Sequence, residues 1–183
     1  MSLRPIHVLG SSALRQRSPE VGTVDEEARA LIADLFDTMR AYKGVGLAAN
    51  QVGVLRRIAV VETDPDHRCV LVNPVVVERE GAAKDEEGCL SIPEVYGEVH
   101  RAARVVVEAL DEHGVRQRIE GTELLARVLQ HEIDHLDGIL FLDRVGPIKW
   151  RFLLRQWEKS RKGKSGHVRE DVPEAAPEDA AKA

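Results

Sequence analysis

Residues 124–138, LLARVLQHEIDHLDG, decide the fold because they contain an H-E-x-x-H pattern with helical spacing. Residues four positions apart lie on one face of a helix, so the imidazoles of His131 and His135 could bind one metal ion from neighbouring turns. Glu132 lies on the flank of that face, where its carboxylate could exchange protons with a bound water. The alternative is a buried amphipathic helix whose histidines are core residues or surface charges. The pattern favours the metal site.

The residues around this pattern predict both ends of the helix and an apolar wall beside the metal. Thr122 and Glu123 are typical of a helix start, and Gly138 is typical of a helix stop. Leu124 and Val128 continue the histidine face toward the helix start. We therefore expect one helix to supply metal ligands, an acid/base group and part of a pocket.

Composition is typical of a single-domain protein of the reducing cytosol. The 183 residues are enough for one well-packed domain, predicted to span residues 1–164. The formal net charge of −5 gives no general affinity for nucleic acid, so we expect no sequence-specific nucleic-acid partner. Cys69 and Cys89 do not form a disulfide framework, and residues 1–22 contain no signal peptide or long apolar run. These features predict a cytoplasmic location and no membrane partner.

Outside the central helix, the pattern predicts an α+β fold with a largely antiparallel sheet packed around it. An N-terminal helix is predicted to start within residues 23–26 and to end before Gly44. Runs of β-branched residues predict strands at residues 57–62, 69–77, 103–110 and 115–119. Asn73 and Pro74 interrupt the second run, which predicts an edge or a bulge, and residues 111–114 predict a hairpin turn. Residues 6–22 are expected to form an extended arm across the surface.

The chain changes character at Pro147. Residues 147–164 are rich in Lys and Arg and are predicted to form a basic C-terminal helix, anchored by Trp150, Phe152, Leu153, Leu154 and Trp157. This helix could dock on the ribosome, and the alternative of a solvated helix face stays open. Residues 165–183 are rich in Glu, Asp, Ala and Pro, so we expect a disordered acidic tail that the chemistry does not need.

Two further stretches carry candidate chemistry. Residues 86–93, EEGCLSIP, contain Cys89, whose thiolate could be a third metal ligand and leave one coordination position open for water. The alternative is that Cys89 is a small buried hydrophobe, as Cys69 is expected to be. Residues 44–51, GVGLAANQ, combine two glycines that allow a ligand to approach closely with the amide donor of Gln51. A helix C-cap would explain these glycines as well.

Together the three stretches resemble the motifs of the peptide deformylase family. GVGLAANQ at residues 44–51 is similar to its first motif, EGCLS at residues 87–91 to its second, and QHEIDH at residues 130–135 to its third. The similarity extends from about residue 7 to residue 162. It implies hydrolytic removal of the formyl group from the initiator methionine of newly synthesised polypeptides. N-formylmethionyl nascent peptides would be the substrates, and formate would be released.

The resemblance also implies roles for individual residues. The implied metal ligands are Cys89, His131 and His135. The groups implied to act on the formyl amide are Glu132 as acid/base, and Gln51 and the Leu90 backbone N–H as donors to the oxygen. The residues expected to bind the peptide and its methionine are Gly44, Val45, Gly46, Leu47, Gly88, Leu124 and Val128. These ligands accept Fe²⁺, Zn²⁺, Ni²⁺ or Co²⁺, and the resemblance favours Fe²⁺.

Two rival function classes remain at this point. A zincin-type endoprotease usually takes a third His or Glu ligand, so the Cys89 motif argues against it. A non-catalytic metal module would need a fourth protein ligand, and the sequence offers none.

Arg127 and Asp85 stand where relatives can be apolar, and they are expected to place charge at the edge of the pocket. Arg101 is expected to pair with Glu87, with simple solvation as the alternative.

Overall fold

The computed structural model describes residues 2–169 of the chain. In chain order, the elements are β1 (Ile6–His7), α1 (Glu26–Ala41), β2 (Gly46–Ala48), β3 (Ile58–Glu62), β4 (Arg68–Glu80), β5 (Ala83–Cys89), β6 (Ile92–Arg101), β7 (Arg104–Leu110), β8 (Arg116–Thr122), α2 (Glu123–Leu136), α3 (Pro147–Ser160) and β9 (Val168–Arg169). Short 3₁₀ helices lie at Ser12–Arg15, Ala49–Val52 and Phe141–Arg144. The strand pairs are antiparallel, so the predicted α+β class is confirmed.

The main sheet has the strand order β2-β3-β4-β7-β8 and is covered by one helix on each face. In β3, Ile58 and Val60 pack in the cluster that contains α1, whereas Ala59 and Val61 pack in the cluster that contains α2. Alternate side chains of a strand point to opposite faces, so a strand covered on both faces is apolar throughout. This packing sets α2 against β2, which carries part of the first motif.

A second sheet, the hairpin of β5 and β6, was missed by the sequence prediction. β5 contains the charged run KDEE and therefore lacks the apolar pattern of a strand. In β6, Val95 and Val99 are buried while Glu98 is exposed, and the buried face packs with Leu153 of α3. Cys89 is therefore the last residue of a strand that is paired with β6.

The predicted helix ends and the predicted strand interruption are confirmed. α1 begins after Asp25, whose side chain caps it, and α2 follows Thr122 and ends before Gly138, which has a φ of +74°. Asn73 has a φ of +53°, and a register shift marks a bulge there. Because β4 lies in the middle of the main sheet, a bulge and not an edge position accommodates Pro74.

The structure corrects three expectations about the chain ends. The N-terminal arm does not simply cross the surface, because Ile6, Val8 and Leu14 are buried. The tail is not disordered from residue 165, because β9 pairs with β1; residues 170–183 of that tail lie outside the described residues. In α3, Trp150 and Phe152 are 37% and 67% exposed and do not anchor the helix. The buried anchors are Leu153 and Trp157.

Candidate metal centre

Three donor atoms from two distant parts of the chain meet at one point. Cys89 Sγ lies 3.2 Å from His135 Nε2, which lies 3.1 Å from His131 Nε2. All three donors lie within 4.8 Å of one another. Donors in a tetrahedral site with bonds of about 2.0–2.3 Å are about 3.3–3.6 Å apart, so the set fits a single ion. Cys89 ends β5, and the two histidines lie one turn apart on α2.

The pKa values of the two histidines are shifted in opposite directions. Burial of the ring lowers the pKa of His131, but hydrogen bonds with Cys89 and Glu87 outweigh this effect and hold the pKa well above its ordinary value. Burial and the positive charge of His131 hold the pKa of His135 well below its ordinary value. A bound divalent ion would displace the proton that the raised pKa favours on His131, because a ligating imidazole is deprotonated. A divalent ion in its place would satisfy both imidazoles and a thiolate at once.

Glu87 fixes the ring of His131 and is itself held by two arginines. Its Oε2 accepts a hydrogen bond from His131 Nδ1 at 3.0 Å. Arg101 donates to both carboxylate oxygens at 2.7 and 2.9 Å, and Arg127 donates to Oε1 at 2.7 Å. Burial of the carboxylate raises the pKa of Glu87, but hydrogen bonds from Arg101 and His131 outweigh this effect and hold the pKa well below its ordinary value. With Nδ1 bound to a carboxylate, His131 turns its Nε2 toward the other donors.

These contacts decide the expectations about nearby charges. The Arg101–Glu87 pair is confirmed, and both side chains are 4% exposed, so the pair is buried and not solvated. The expectation for Arg127 is wrong in part: it lines the cavity, but it is buried against Glu87 and donates to the Val99 carbonyl. Asp85 is exposed and does not line the cavity. The sequence signal for Glu87 was its position two residues before Cys89 in the same motif, and a bulge lies between the two residues in the strand.

Asp134, inside the third motif, extends this network to the far side of α2. It accepts hydrogen bonds from Arg101 at 2.6 Å and from Arg144 at 3.0 Å. Arg101 therefore bridges Glu87 of β5 and Asp134 of α2, and it fixes the hairpin relative to the histidine helix. No pattern in the sequence predicted this second bond.

Glu132 is a buried carboxylate next to the backbone of Gly46. Among the described residues, its Oε2 has no hydrogen-bond partner. Burial raises the pKa of Glu132 to about 7, and a bound cation would lower it by favouring the carboxylate. A Cβ on Gly46 would lie 2.4 Å from Glu132 Oε1. Close approach to this carboxylate, and not a helix C-cap, therefore explains the glycine.

Gln51 lies beside the donor cluster with its amide fixed in orientation. Its Oε1 accepts from the Ala48 N–H at 2.9 Å, and its Nε2 donates to Ser91 Oγ at 3.1 Å. The same Nε2 lies 3.6 Å from Cys89 Sγ. Gln51 is only 2% exposed, so this amide is held with its N–H groups toward the cluster.

A cavity of about 500 Å³ opens onto these groups. The sequence-predicted residues that line it are Gly44, Val45, Gly46, Gln51, Gly88, Cys89, Leu90, Leu124, Val128, His131 and Glu132. Leu47 does not line it, because its side chain is fully buried in the core beside α1. His135 is also outside the lining and is 1% exposed. The cavity therefore joins most of the predicted site, and Leu47 can contribute only through its main chain.

A sequence model of the polypeptide deformylase family matches residues 3–150. The chain belongs to this family. A peptide deformylase of Thermomicrobium roseum is 52% identical over an alignment of 153 residues, with a coverage of 79% of this chain and 87% of that protein. The crystal structure of a peptide deformylase from Legionella pneumophila superposes with a TM-score of 0.84 at 44% identity, over 88% of this chain and 96% of that chain. That of Ehrlichia chaffeensis in complex with actinonin superposes with a TM-score of 0.84 at 36% identity, over 91% and 100%.

Membership in this family decides between a deformylase, an endoprotease and a non-catalytic metal module. Peptide deformylases are metal-dependent hydrolases that remove the formyl group from nascent polypeptides, and the chain is a hydrolase of this N-formyl amide. The endoprotease and the non-catalytic metal module are thereby set aside. None of the helices within residues 2–169 combines the length and the apolar character that crossing a membrane requires.

Proposed function

We propose that this deformylase acts on N-formylmethionyl nascent peptides in the cytoplasm, with Cys89, His131 and His135 as metal ligands and Glu132 as the acid/base group. The observation that carries the proposal is the convergence of two imidazoles and a thiol next to a buried carboxylate at the wall of an open cavity. Three protein ligands leave one coordination position for water or substrate, which is typical of catalytic sites.

The proposed metal is Fe²⁺. A bound divalent ion makes water more acidic and polarises the formyl carbonyl. A thiolate and two imidazoles also accept Zn²⁺, Ni²⁺ and Co²⁺, which are the alternatives. Elemental analysis of protein purified without oxygen distinguishes them, because the native ion should approach one equivalent per chain. Zinc at that level, with iron absent, would reject Fe²⁺ and leave the ligand proposal intact.

Glu132 takes a proton from the attacking water and returns it to the departing amine in this proposal. Its support is the unpartnered Oε2 within the described part of the chain and the pKa raised to about 7 by burial. Burial favours proton uptake by this carboxylate, and a bound cation would favour the later loss of that proton. Gly46 allows this carboxylate to lie against β2 without a clash.

Gly46→Ala should therefore keep the fold and lower kcat/KM for a formyl peptide by about 100-fold. The added methyl group must displace the Glu132 carboxylate, and a displacement of about 1 Å in a catalytic group can cost that much. Steady-state kinetics and thermal unfolding of both proteins measure the effect. Gly22→Ala is the control, because nothing lies within 4 Å of a Cβ there. Kinetics of Gly46→Ala equal to the control would show that Glu132 is not confined by β2.

Gln51 and the Leu90 backbone N–H are the proposed donors to the formyl oxygen as negative charge develops there. The support is the locked amide of Gln51 beside Cys89, and the position of both residues on the cavity wall. A donor fixed before the reaction does not have to reorganise in the transition state. In comparable sites one such donor contributes about 3–4 kcal/mol.

Main-chain pairing along β2 is the proposed mode of peptide binding. β2 is the edge strand of the main sheet and pairs with β3, so its other edge can pair with an extended peptide of almost any sequence. Gly88 lines the same cavity. Val45 and Leu124 are 40% and 51% exposed on the cavity wall, next to Val128. A methionine side chain would cover this apolar surface.

Steric crowding is the proposed reason for selecting formyl over larger acyl groups. A Cβ on Gly44 would lie 2.8 Å from Leu90 Cδ1, and the space beside Gly46 is limited by Glu132. A formyl hydrogen needs almost no room in such a space, whereas the methyl group of an acetyl does.

Incubation with formyl-Met-Ala-Ser followed by mass spectrometry tests the proposed function. We expect loss of the formyl group alone, with acetyl-Met-Ala-Ser left intact. Internal cleavage would indicate an endoprotease, and an unchanged formyl peptide with fully metallated protein would reject the activity. Equal hydrolysis of the acetyl peptide would reject only the steric selection.

The exposed face of α3 is the proposed contact with the ribosome. Arg151, Arg155 and Lys159 are exposed and spaced four residues apart, so they form one basic stripe. Ile148 and Phe152, which are 87% and 67% exposed, lie on the same helix. A basic stripe attracts the phosphates of ribosomal RNA, and the exposed apolar side chains add contact area.

Arg155→Glu combined with Lys159→Glu should weaken co-sedimentation with ribosomes by about tenfold or more at low salt, because two attractive charges become repulsive. Turnover of the short formyl peptide should not change. Arg79→Glu combined with Arg116→Glu is the matched control, since both side chains are exposed on the sheet strands β4 and β8. If the α3 pair and the control pair bind ribosomes equally, the docking proposal is wrong and α3 is a solvated face.

A further inference from the structure

The last described strand, β9, brings a charged side chain to the catalytic cavity. Arg169 lines the same cavity as Gly46, Leu90 and Glu132. It lies beyond residues 3–150, the part of the chain matched by the family model. The cavity of this chain is therefore completed by residues that the three motifs do not supply.

Main-chain and side-chain contacts hold this segment in place. β9 pairs with β1, with Ile6 opposite Arg169, and the Val8 N–H donates to the His167 carbonyl at 2.9 Å. The Tyr42 hydroxyl donates to the Arg169 carbonyl at 3.2 Å, and the Arg169 guanidinium lies 5.1 Å from the centroid of the Tyr42 ring. These contacts fix the direction in which Arg169 leaves the strand.

Arg169 would lie beside the part of a bound peptide that is farther from the formyl end. The proposed reaction takes place beside Gly46, where Glu132 approaches the backbone. Tyr42 caps the end of α1 and precedes Gly46 by four residues; because Lys43 has a φ of +57°, the segment turns and spans less than the roughly 13 Å of four extended residues. A peptide whose formyl end lies at Gly46 and whose chain runs toward the end of α1 would bring its third or fourth residue near Tyr42 and Arg169.

The charges around the cavity mouth are divided between two walls. Lys43 and Arg169 lie on the wall formed by the end of α1 and β9, whereas Glu86 and Glu94 lie on the wall formed by the hairpin. Charges at the rim of a site act through solvent, so they tune the choice of partner more than they determine its affinity.

We propose that Arg169 is a specificity-determining residue, which contacts the peptide two or three residues after the formylmethionine and favours acidic side chains there. This inference rests on the proposed function. It also revises the expectation that the chemistry needs nothing after residue 164, because selection among longer substrates then depends on β9.

The test is a comparison of kcat/KM for the amides of formyl-Met-Ala-Asp-Asp, formyl-Met-Ala-Ser-Ser and formyl-Met-Ala-Lys-Lys. Arg169→Ala should lower the Asp-to-Lys ratio about three- to tenfold, mainly through KM, and Arg169→Glu should reverse the preference. Arg169→Lys should restore much of the ratio. The effect should shrink as salt is raised, since charges at a rim are screened. Main-chain pairing of β9 does not depend on this side chain, so these variants should fold.

Lys162→Ala is the matched control, because Lys162 is an exposed base in the same C-terminal region that does not line the cavity. A ratio in Arg169→Ala equal to that of the control would overturn the inference. An equal drop for all three peptides would also overturn it, since that result indicates a structural role. Turnover of formyl-Met-Ala-Ser by the wild type tests the proposed function separately, so the two failures are distinguishable.

Discussion

Replacing Glu132 by glutamine should leave the fold and the metal content unchanged and lower kcat for a formyl peptide by about 10⁴-fold. The amide has the shape of the carboxylate but cannot take up a proton. General acid/base catalysis by one positioned group typically contributes about 10²–10⁴ in rate, and Glu132 acts twice, first on water and then on the amine. Single-turnover kinetics and metal analysis of the same preparation measure both quantities. A Glu132→Gln enzyme within tenfold of the wild type would contradict the assigned role.

The pH profile gives an independent check on Glu132. Its pKa is raised to about 7 by burial, so the basic form is lost as the pH falls, and a bound cation moves that loss to lower pH. The acidic limb of kcat/KM should therefore lie below about pH 7 and report the coupled ionisation of Glu132 and the attacking water. That limb should disappear or move in the residual activity of Glu132→Gln. An unshifted limb would mean that another group carries the proton.

Cys89→Ser should lose both metal and activity, because a neutral hydroxyl is a poor substitute for a charged thiolate ligand. We expect metal content well below one equivalent per chain and turnover reduced by about 10²-fold or more. Loss of the metal removes the positive charge that polarises the formyl carbonyl. Elemental analysis of the dialysed protein and peptide turnover at matched protein concentration provide the measurement.

Cys69→Ser is the matched control for this experiment. Cys69 is partly buried on β4 and packs against the hydrophobic cluster that contains α2, and it is not part of the donor group. Its substitution should leave metal content and turnover near wild-type values. If Cys89→Ser binds metal as tightly as Cys69→Ser and turns over equally, the ligand assignment is wrong.

The sequence predicted the parts of the fold and site that rest on short-range patterns. The helix with His131 and His135, its two ends and the bulge at Asn73 follow from spacing and from residues with special backbone preferences. The resemblance to three motifs then brought Cys89 and Gln51 together with these histidines. Their proximity in the structure is what those predictions require.

The parts that were missed depend on distant pairings. β5 is charged because one hairpin face is exposed, so its sequence does not alternate like a half-buried strand. Arg127 is neutralised by Glu87, which lies 40 residues away in sequence. Neither arginine nor glutamate predicts burial by itself, since charged side chains are buried only when they are paired. The β9 strand was missed because its apolar content is too small to offset an acidic and Pro-rich surrounding.

The donors belong to different apolar clusters of the core, which are joined near the site by the ion pairs of Arg101 and Arg127 with Glu87. The histidines lie on α2, whose apolar residues form one cluster, whereas Cys89 packs against the hairpin cluster, and Gln51 follows β2 beside the cluster of α1. An ion that binds only when α2 and the hairpin are correctly placed relative to each other increases the free energy needed to open either element locally. A bound ion would then act as a further cross-link between α2 and the hairpin, in addition to the Arg101 bridge, and its removal would weaken the hold on the hairpin.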